Sequence, residues 1–406
     1  MYMLMIIGVL LSILLVAIIL KKIGWSFKFN ISSPIFIFLI TWIVAIITCY
    51  LNIFENYNPL SLRTILFIII NILVIVLGYI LGKSQKFKIS KIDYDNNKLL
   101  ISFNILFIIV VISFLFTIYK LGKPPILGGI DKSIYYLPNG MEIFYLTIYL
   151  AFFIGFFLIK RGVSFKKLVI QLIILTLIVC LKSNKTGIFT ILLLVLFFFG
   201  RKITFTKLLM IILAVFFIFG ISSIMYYKPT NKVILQNAVT TITGYRLSNK
   251  LFFLFNPLIY LTCNLYNLNG LISLNLGGIG HGWGAFYGIS HYLSEYSTYF
   301  NRIIENTSLN MNASLQIPSF NTYSGLGILY VGFGMILSVF IMFLLGWLSG
   351  ILSRNKFNKN IVLIFLDFLI FETLSLSFFT FYLGNIEVIS NILIVILIHI
   401  YARRRL

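Results

Sequence analysis

The sequence predicts an all-α, polytopic integral membrane protein with about eleven transmembrane helices. Composition is the first reason: 60% of the 406 residues are hydrophobic and 10% are charged, whereas soluble domains are about 45–50% apolar and about 25% charged. The second reason is that the apolar residues form long runs, and a helix of about 20 residues crosses a bilayer. These observations exclude an ordinary soluble enzyme, a disordered chain and a disulfide scaffold.

The predicted helices are eleven apolar segments. Each segment is apolar on all sides, as a helix in lipid must be, because only a helix or a closed barrel satisfies its own backbone hydrogen bonds there. The sixth and seventh segments are short and meet at a tight polar turn. In chain order the segments are 3–20, 34–54, 64–82, 100–119, 141–159, 167–182, 186–199, 206–225, 324–350, 361–383 and 386–402.

The connections between the segments alternate in charge, which predicts their orientation. One set carries 21 of the 32 Lys and Arg residues and comprises the connections near 21–28, 83–98, 160–167, 201–207, 354–359 and 403–405. Cytoplasmic loops are enriched in Lys and Arg, so this set is predicted to be cytoplasmic, with the N-terminus outside and the C-terminus inside. The net charge of +22 follows membrane topology, and we expect no nucleic-acid partner.

The segments divide the chain into three parts. Residues 1–225 hold transmembrane helices 1–8, residues 226–322 form a large extracytoplasmic loop, and residues 323–406 hold helices 9–11. Within the loop, the apolar stretch 251–263 has 13 residues including Pro257, which is too short to span a bilayer. We expect this stretch to be re-entrant or interfacial.

Four basic residues on the predicted outer side are candidates for binding an anionic group such as a pyrophosphate. Lys182 and Lys185 flank the tight turn, Arg246 precedes the 251–263 stretch, and Lys132 lies in an earlier outer connection. Arg suits phosphate because its planar guanidinium makes two parallel charged hydrogen bonds. The alternative is that the lysines extend to lipid phosphates and that long loops are translocated whatever their charge.

The stretch 277–300 is rich in glycine at its start and holds candidates for acid–base chemistry. Its glycines permit close backbone approach and positive φ. It contains His281 and His291, two of the three histidines, and on a helix His291 and Glu295 share a face. This is a candidate general base with an orienting carboxylate; the alternative is a surface helix with an incidental pair. A third metal ligand is not evident, so we expect no metal or other cofactor.

Aromatic residues of the outer loop are candidates for stacking on sugar rings. The ones singled out are Tyr245, Trp283 and Tyr287. The alternative is that they lie at the membrane interface, where Tyr and Trp are common because their rings are apolar and their edges polar.

Two acidic residues, Asp367 and Glu372, lie inside the tenth segment. Ionisable groups at membrane depth are costly and mark functional sites. Glu372 is the deeper of the two, and a proton-coupled transporter would use such a group.

Four stretches resemble the Wzy-type O-antigen and capsular polysaccharide polymerases, the oligosaccharide repeat-unit polymerase family. They are the Gly-x-Pro-Pro-Ile-Leu start of Leu121–Gly140, the polar turn Lys182–Gly187 before a helix, the sequence Thr-Gly-Tyr-Arg at Thr243–Arg246, and the Asn-x-Tyr-Ser with its glycine-rich helix start in Asn321–Gly350. The chain departs from the family in the last stretch, where Val-Gly-Phe-Gly at Val331–Gly334 lacks the usual acid.

The resemblance implies a GT-C-like membrane glycosyltransferase in the bacterial cytoplasmic membrane. Such an enzyme polymerises undecaprenyl-pyrophosphate-linked oligosaccharide units on the outer face, with membrane lipids, a chain-length regulator and a flippase as further partners. On this basis Lys185 and Arg246, helped by Lys132 or Lys182, would bind pyrophosphate and stabilise the leaving charge. The base would be His281, His291 or Glu295.

Two classes of rival function stay open. A transporter or flippase for lipid-linked sugars is favoured by Glu372 and disfavoured by the long outer loop and by the absence of visible repeats. A lipid-linked glycan ligase would share the architecture but use a different acceptor, and an acyltransferase is the remaining alternative.

Overall fold

The computed structural model describes residues 33–85, 92–124, 141–163, 165–182, 185–200, 237–317, 320–354 and 360–404. These residues form helices and their connections, and their only extended pairings are two isolated bridges, Phe54–Tyr245 and Tyr94–Arg403. The expected all-α class is confirmed for this part of the chain. The predicted segments 3–20 and 206–225 lie outside the described residues, as does Lys132.

Thirteen α-helices have bounds within the described residues. They are α1 (Pro34–Tyr50), α2 (Leu62–Ser84), α3 (Asn96–Leu121), α4 (Met141–Leu146), α5 (Ile148–Lys160), α6 (Phe165–Leu181), α7 (Lys185–Phe199), α8 (Phe255–Ser273), α9 (Tyr287–Ser294), α10 (Thr298–Ala313), α11 (Gly325–Ser353), α12 (Ile361–Leu376) and α13 (Ile386–Ala402). Short 3₁₀ turns precede α8, α9 and α13 at Asn249–Leu254, Trp283–Phe286 and Tyr382–Gly384.

Several described helices have the length and composition to cross a membrane. Four apolar stretches are long enough: Leu62–Ser84, Asn96–Lys120, Leu251–Ser273 and Gly325–Ser353. Four shorter apolar helices accompany them: Pro34–Tyr50, Phe144–Lys160, Thr186–Phe199 and Ile386–Ala402. These helices indicate a membrane protein, and the total of eleven spans stays a prediction.

Local sequence explains where the helices begin. Polar side chains at the N-caps accept hydrogen bonds from backbone N–H groups that have no partner inside the helix. Ser61 caps α2, Asp95 caps α3, Ser324 caps α11 and Asn360 caps α12 in this way. The α3 helix ends at Gly122, whose φ of 74° suits a residue without a Cβ.

Two predicted segments differ from the observed helices. The segment 141–159 is broken at Thr147 into α4 and α5. The segment 361–383 is helical only to Leu376, because the chain then turns and its carbonyl groups take other partners: the Ser377 carbonyl accepts a hydrogen bond from the Gly325 N–H. The turn brings the start of α11 against the end of α12.

The helix ends predicted to be cytoplasmic meet at one end of the bundle, the inner end. Asp93 accepts charged hydrogen bonds of 3.1 Å from both Arg161 and Arg404, and the Tyr94 hydroxyl accepts a 2.8 Å bond from the N–H of Ile361. The Arg161 guanidinium holds the pKa of Asp93 below its usual range. The starts of α3 and α12 thus meet the ends of α5 and α13, as the alternation of charged connections predicts.

Helices α2 and α11 are parallel and packed through glycines. Gly78 and Gly82 of α2 lie against backbone atoms of α11, and Gly346 and Gly350 of α11 lie against backbone atoms of α2. Helices in lipid gain little from the hydrophobic effect between them, so close backbone packing of small residues four apart holds them together. A kink follows the start of α11 at Gly334, where φ is 75°.

Helix α8 lies across the opposite, outer end of the bundle. It follows the α1–α2 connection along its length, through the pairs Phe255–Phe54, Tyr266–Tyr57 and Asn269–Ser61. The Tyr266 hydroxyl also donates a 3.0 Å bond to the Cys49 carbonyl in the last turn of α1, so α8 packs against this connection and against the adjoining end of α1. The stretch Leu251–Ser273 is long enough to span a membrane once its second half is included, and the re-entrant or interfacial arrangement of 251–263 stays a prediction.

Helix α8 is longer than the apolar stretch that predicted it. It continues to Ser273 because buried Asn side chains in its second half find partners. The Asn267 carboxamide donates 2.7 Å bonds to the carbonyls of Phe320 and Thr322. Asn269 accepts a 2.8 Å bond from the N–H of Ser61. Buried polar groups are tolerated when they are hydrogen-bonded, so α8 joins the large loop to the bundle.

Candidate functional site

The glycine-rich stretch of the loop closes onto the start of α11. The backbone N–H groups of Gly278, Gly280 and Gly282 donate to the carbonyls of residues 330–332, and Gly278 and Gly282 have φ near 80°. The predicted close approach and positive φ are confirmed. Because their N–H groups are used by α11, these three glycines anchor the loop and do not offer donors to a phosphate.

The side chains of His281 and Trp283 differ in accessibility. His281 is exposed and has a φ of 46°, a conformation uncommon for a residue with a Cβ. Its N–H donates to Gly278, which completes the turn. Trp283 is half-buried and meets the Phe300 ring edge-on at 4.9 Å. His281 is therefore open to a ligand from solvent, while Trp283 is partly used in packing.

Helix α9 carries an exposed aromatic surface. His291 is stacked parallel to Tyr287, with ring centroids 5.8 Å apart. Glu295 is the residue after the helix and is exposed. Among the described residues, no hydrogen bond or ion pair joins His291 to Glu295, although both project from one end of α9. Four tyrosines on or next to this helix are exposed, namely Tyr287, Tyr292, Tyr296 and Tyr299.

Tyr245 is a packing residue, which argues against its predicted role in sugar stacking. The side chain is 8% exposed and packs against Phe54 and Phe255. Its hydroxyl donates a 2.9 Å bond to the Leu251 carbonyl, and burial raises the pKa of this hydroxyl to about 12. A sugar ring would have to displace these neighbours, so the aromatic surface open to a glycan is that of α9.

Arg246 is exposed at the outer end and is paired with Glu55. One guanidinium nitrogen lies 2.8 Å from a Glu55 carboxylate oxygen, and Nε donates to the other oxygen at 3.4 Å. The arginine lowers the pKa of Glu55. The fork that suits a phosphate thus binds a carboxylate in this structure, and about half of the Arg246 side chain, 48%, stays accessible.

Lys182 lies at the end of α6 over the face of a buried tyrosine. Its Nζ atom is 3.5 Å from the centroid of the Tyr145 ring, a cation–π contact that fixes the ammonium. Lys185 is the first residue of α7, and its side chain, like Lys132, lies outside the described part. Lys182 is therefore the predicted pyrophosphate ligand that the structure positions next to the helix core.

Beneath the loop, polar side chains from several helices form one layer, the outer polar layer. Its members are Tyr149, Thr190, Glu372, Tyr382 and Glu387. The Thr190 hydroxyl donates a 2.5 Å bond to Glu372, which is 1% exposed. The Tyr382 hydroxyl shares a hydrogen bond with Thr190 and interacts electrostatically with Glu372, Tyr149 and Glu387.

The loop covers this layer directly. Gly288 of α9 packs against the backbone of 384–386, where an added Cβ would lie 2.8 Å from the Ile386 nitrogen. Gly384 in turn lies against the Ala285 carbonyl. Because Glu387 follows Ile386 at the start of α13, the aromatic surface of α9 and the acidic residues of the layer belong to one region.

Sequence reasoning missed several members of this layer. Thr190, Tyr149 and Tyr382 read as ordinary residues of apolar segments, and only the fold brings them to Glu372. Glu387 carried a signal, since it is an acid in the first turn of a predicted span, where ionisable groups are costly. Glu55, the partner of Arg246, is another acid that the sequence did not single out.

The described residues contain no group of three His, Cys, Asp or Glu side chains arranged to hold a metal ion. Metal independence stays a prediction. Comparisons of the chain with family models, with curated proteins and with solved structures each find no match. The site is therefore interpreted from its own residues.

Proposed function

We propose that the protein is a membrane glycosyltransferase that polymerises undecaprenyl-pyrophosphate-linked oligosaccharide units into O-antigen or capsular polysaccharide at the outer face of the bacterial cytoplasmic membrane. The growing chain leaves its lipid pyrophosphate and is joined to a new lipid-linked unit. The resemblance of four stretches to Wzy-type polymerases supports the substrate class. A lipid-linked glycan ligase would use the same donor with another acceptor.

The observation that carries the proposal is the outer polar layer. It holds two carboxyl groups, Glu372 and Glu387, at the end of the bundle that the loop covers. An ammonium group, Lys182, lies over the ring of Tyr145, four residues before Tyr149 of the layer. A leaving pyrophosphate develops negative charge, which a fixed cation stabilises, and an acceptor hydroxyl needs a group that takes its proton. Both needs are met by side chains of one region.

The exposed tyrosines of α9 support a glycan as the ligand. Tyr rings offer apolar faces with polar edges at a small cost in conformational entropy. Gly288 of the same helix packs against residues 384–386, just before Glu387, so a sugar bound to these rings would lie near the polar layer.

Deletion of the gene tests the proposal. We expect single repeat units on lipid or at the cell surface, with the polymer ladder lost, when glycans are separated on a gel. A persistent ladder of normal length would reject a polymerase.

Arg246 and Glu55 allow a sharper test of pyrophosphate binding. If Arg246 binds the pyrophosphate, Arg246→Ala should reduce polymer formation by about 100-fold or more, whereas Glu55→Ala should retain it because the guanidinium is released. Equal losses in both variants would mean that the ion pair serves only to shape the loop. Arg302→Ala, which removes an exposed loop cation, is the matched control, and membrane levels of each variant are measured in parallel.

A lipid-linked sugar flippase is the second candidate, and one observation favours it. Asp367 and Glu372 are both buried on α12, at 0% and 1% exposure. Buried acids inside a membrane helix are typical of proton-coupled transport. Units trapped on the inner leaflet of the deletion strain, inaccessible to an externally added glycan-cleaving enzyme, would indicate the flippase.

A further inference from the structure

We infer that Glu387 accepts the proton of the acceptor hydroxyl, and that Tyr382, Thr190 and Glu372 form a hydrogen-bonded chain behind it that positions the site. The inference rests on the proposed glycosyl transfer and names the residue that would act on the acceptor. The residues predicted to bind pyrophosphate keep that role.

Glu387 is placed for contact with a substrate. It is the second residue of α13 and is half-buried, so its carboxyl group is reachable from the outer end. The unpaired N–H groups and the dipole at a helix N-terminus stabilise a carboxylate. Helix α9 packs against the residues just before it, which places Glu387 beside the exposed aromatic surface.

Behind Glu387 the polar groups continue into the protein. Tyr382 interacts electrostatically with Glu387 and shares a hydrogen bond with Thr190, which donates to Glu372. Glu372 and Glu387 also act on each other electrostatically. A buried carboxyl group is costly unless it is hydrogen-bonded, and retaining two interacting acids here is consistent with a role in proton handling.

An independent observation points to a ligand at this place. Asn391, one helical turn after Glu387 and 3% exposed, donates to the Leu146 carbonyl at 3.5 Å. Its Oδ1 atom has no hydrogen-bond partner among the described residues. A buried acceptor without a donor is destabilising, and a sugar hydroxyl would supply the donor.

The hydrogen bond from Asn391 to Leu146 also connects the helix of Glu387 to the helix that Lys182 contacts. Leu146 follows Tyr145, whose ring carries the Lys182 ammonium. The ammonium that would stabilise the leaving pyrophosphate and the helix that carries the proposed base therefore both contact α4. The predicted bases His281 and His291 are exposed, and the contacts described for them do not include this layer.

The chemical step balances with the groups named. The acceptor oxygen forms a bond to the anomeric carbon, and the bond from that carbon to the pyrophosphate oxygen breaks. The electron pair of the broken bond leaves with the pyrophosphate, next to Lys182. The hydroxyl proton passes to the Glu387 carboxylate, and no oxidant, reductant or further reactant is required.

The test uses the deletion strain complemented with full-length variants. Glu387→Gln should lose the polymer ladder, with a loss of about 100-fold or more, since general-base catalysis contributes about 10²–10⁴-fold. Glu387→Asp, which keeps the carboxylate, should restore part of it. Glu305→Gln, an exposed acid on α10, is the matched control. Thr190→Val should lower polymer formation and shift its pH profile, measured with purified protein in lipid and a lipid-linked unit.

Different experimental outcomes would reject the proposed function and the proposed role of Glu387. A ladder that survives gene deletion rejects the proposed function itself. If the ladder is lost on deletion but has wild-type length in Glu387→Gln, the inference is overturned. It is also overturned if His281→Ala or His291→Ala loses the ladder while Glu387→Gln is fully active. If Glu372→Gln fails to accumulate in the membrane, Thr190→Val decides the positioning role, because it leaves both carboxyl groups in place. An unchanged pH profile in that variant overturns the hydrogen-bonded chain.

Discussion

The α2–α11 interface is held by glycines, and enlarging one of them should weaken the bundle. A methyl group added at Gly346 would overlap the Ile75 carbonyl oxygen and lie 2.9 Å from the Ile75 carbonyl carbon. The neighbour is backbone, so it cannot move away by a change of rotamer. We therefore expect Gly346→Ala to lower the free energy of unfolding.

The size of the effect follows from the distances. Ordinary contact begins at 3.4 Å, so the two helices must separate by at least about 0.5 Å, a gap that removes about a quarter of the dispersion energy of each contact. Overpacking of this kind costs about 1–3 kcal/mol. The substitution also favours the helix by about 0.5–1 kcal/mol. Gly327→Ala in the same helix provides the control, because a methyl group there meets its nearest neighbour at 3.4 Å.

Equilibrium unfolding with SDS in mixed micelles, followed by tryptophan fluorescence, measures this difference. Trp347 lies at the interface, next to Gly78 and Gly82, and reports on separation of the helices. We expect Gly346→Ala to be less stable than Gly327→Ala by about 1–3 kcal/mol. Equal stabilities of the two variants would refute the argument that backbone contact through these glycines holds α2 and α11 together.

Two further predictions concern the ends of the bundle. Because its ion pairs lower the folded-state pKa of Asp93, their stabilisation is complete above the unfolded pKa of about 3.9 and is lost as the pH falls through the folded value. The unfolding midpoints of wild type and Asp93→Asn should therefore differ at neutral pH and converge in acid, and a constant difference would contradict this. Asn269→Ala should leave the Ser61 N–H without its acceptor and cost about 1–3 kcal/mol, with faster hydrogen exchange in the α1–α2 connection. Asn310→Ala, at a half-buried position of α10 whose carboxamide donates to the Asn306 carbonyl, should leave that exchange unchanged.

Most of the described helices were predictable because a lipid-embedded helix is recognisable from its apolar composition. The segments that became α1, α2, α3 and α11 are long apolar runs. The alternation of basic connections predicted which helix ends meet, and the ion pairs of Asp93 with Arg161 and Arg404 lie where this alternation brings three predicted cytoplasmic ends together.

Helix α8 shows where periodicity and composition were insufficient. Its first half is apolar and its second half contains buried asparagines, which by composition read as a loop. Their partners are backbone carbonyls and N–H groups more than fifty positions away in the chain. A single segment cannot reveal such partners, since the free energy that keeps the helix intact arises from tertiary hydrogen bonds.

Some residues of the candidate site could likewise be predicted from the sequence, and others could not. Arg246 and Lys182 were visible in the sequence as cations on the predicted outer side, where such residues are disfavoured, and the exposed positions of His281 and His291 agree with a polar loop. Tyr245 could not be distinguished from an exposed aromatic residue without its neighbours. Glu55 became the partner of Arg246 only when the loop folded back onto the α1–α2 connection.

The sequence by itself determined the class of the molecule and its long apolar segments, because these depend on composition along the chain. The orientation of the segment ends stays a prediction from charge placement. The tertiary structure alone decided which acids, hydroxyls and cations meet. Thr190 and Glu372 are 182 positions apart yet hydrogen-bonded at 2.5 Å. The packing of α7, α12 and α13 creates that contact and the outer polar layer around it, because a site built from distant segments exists only where their helices converge.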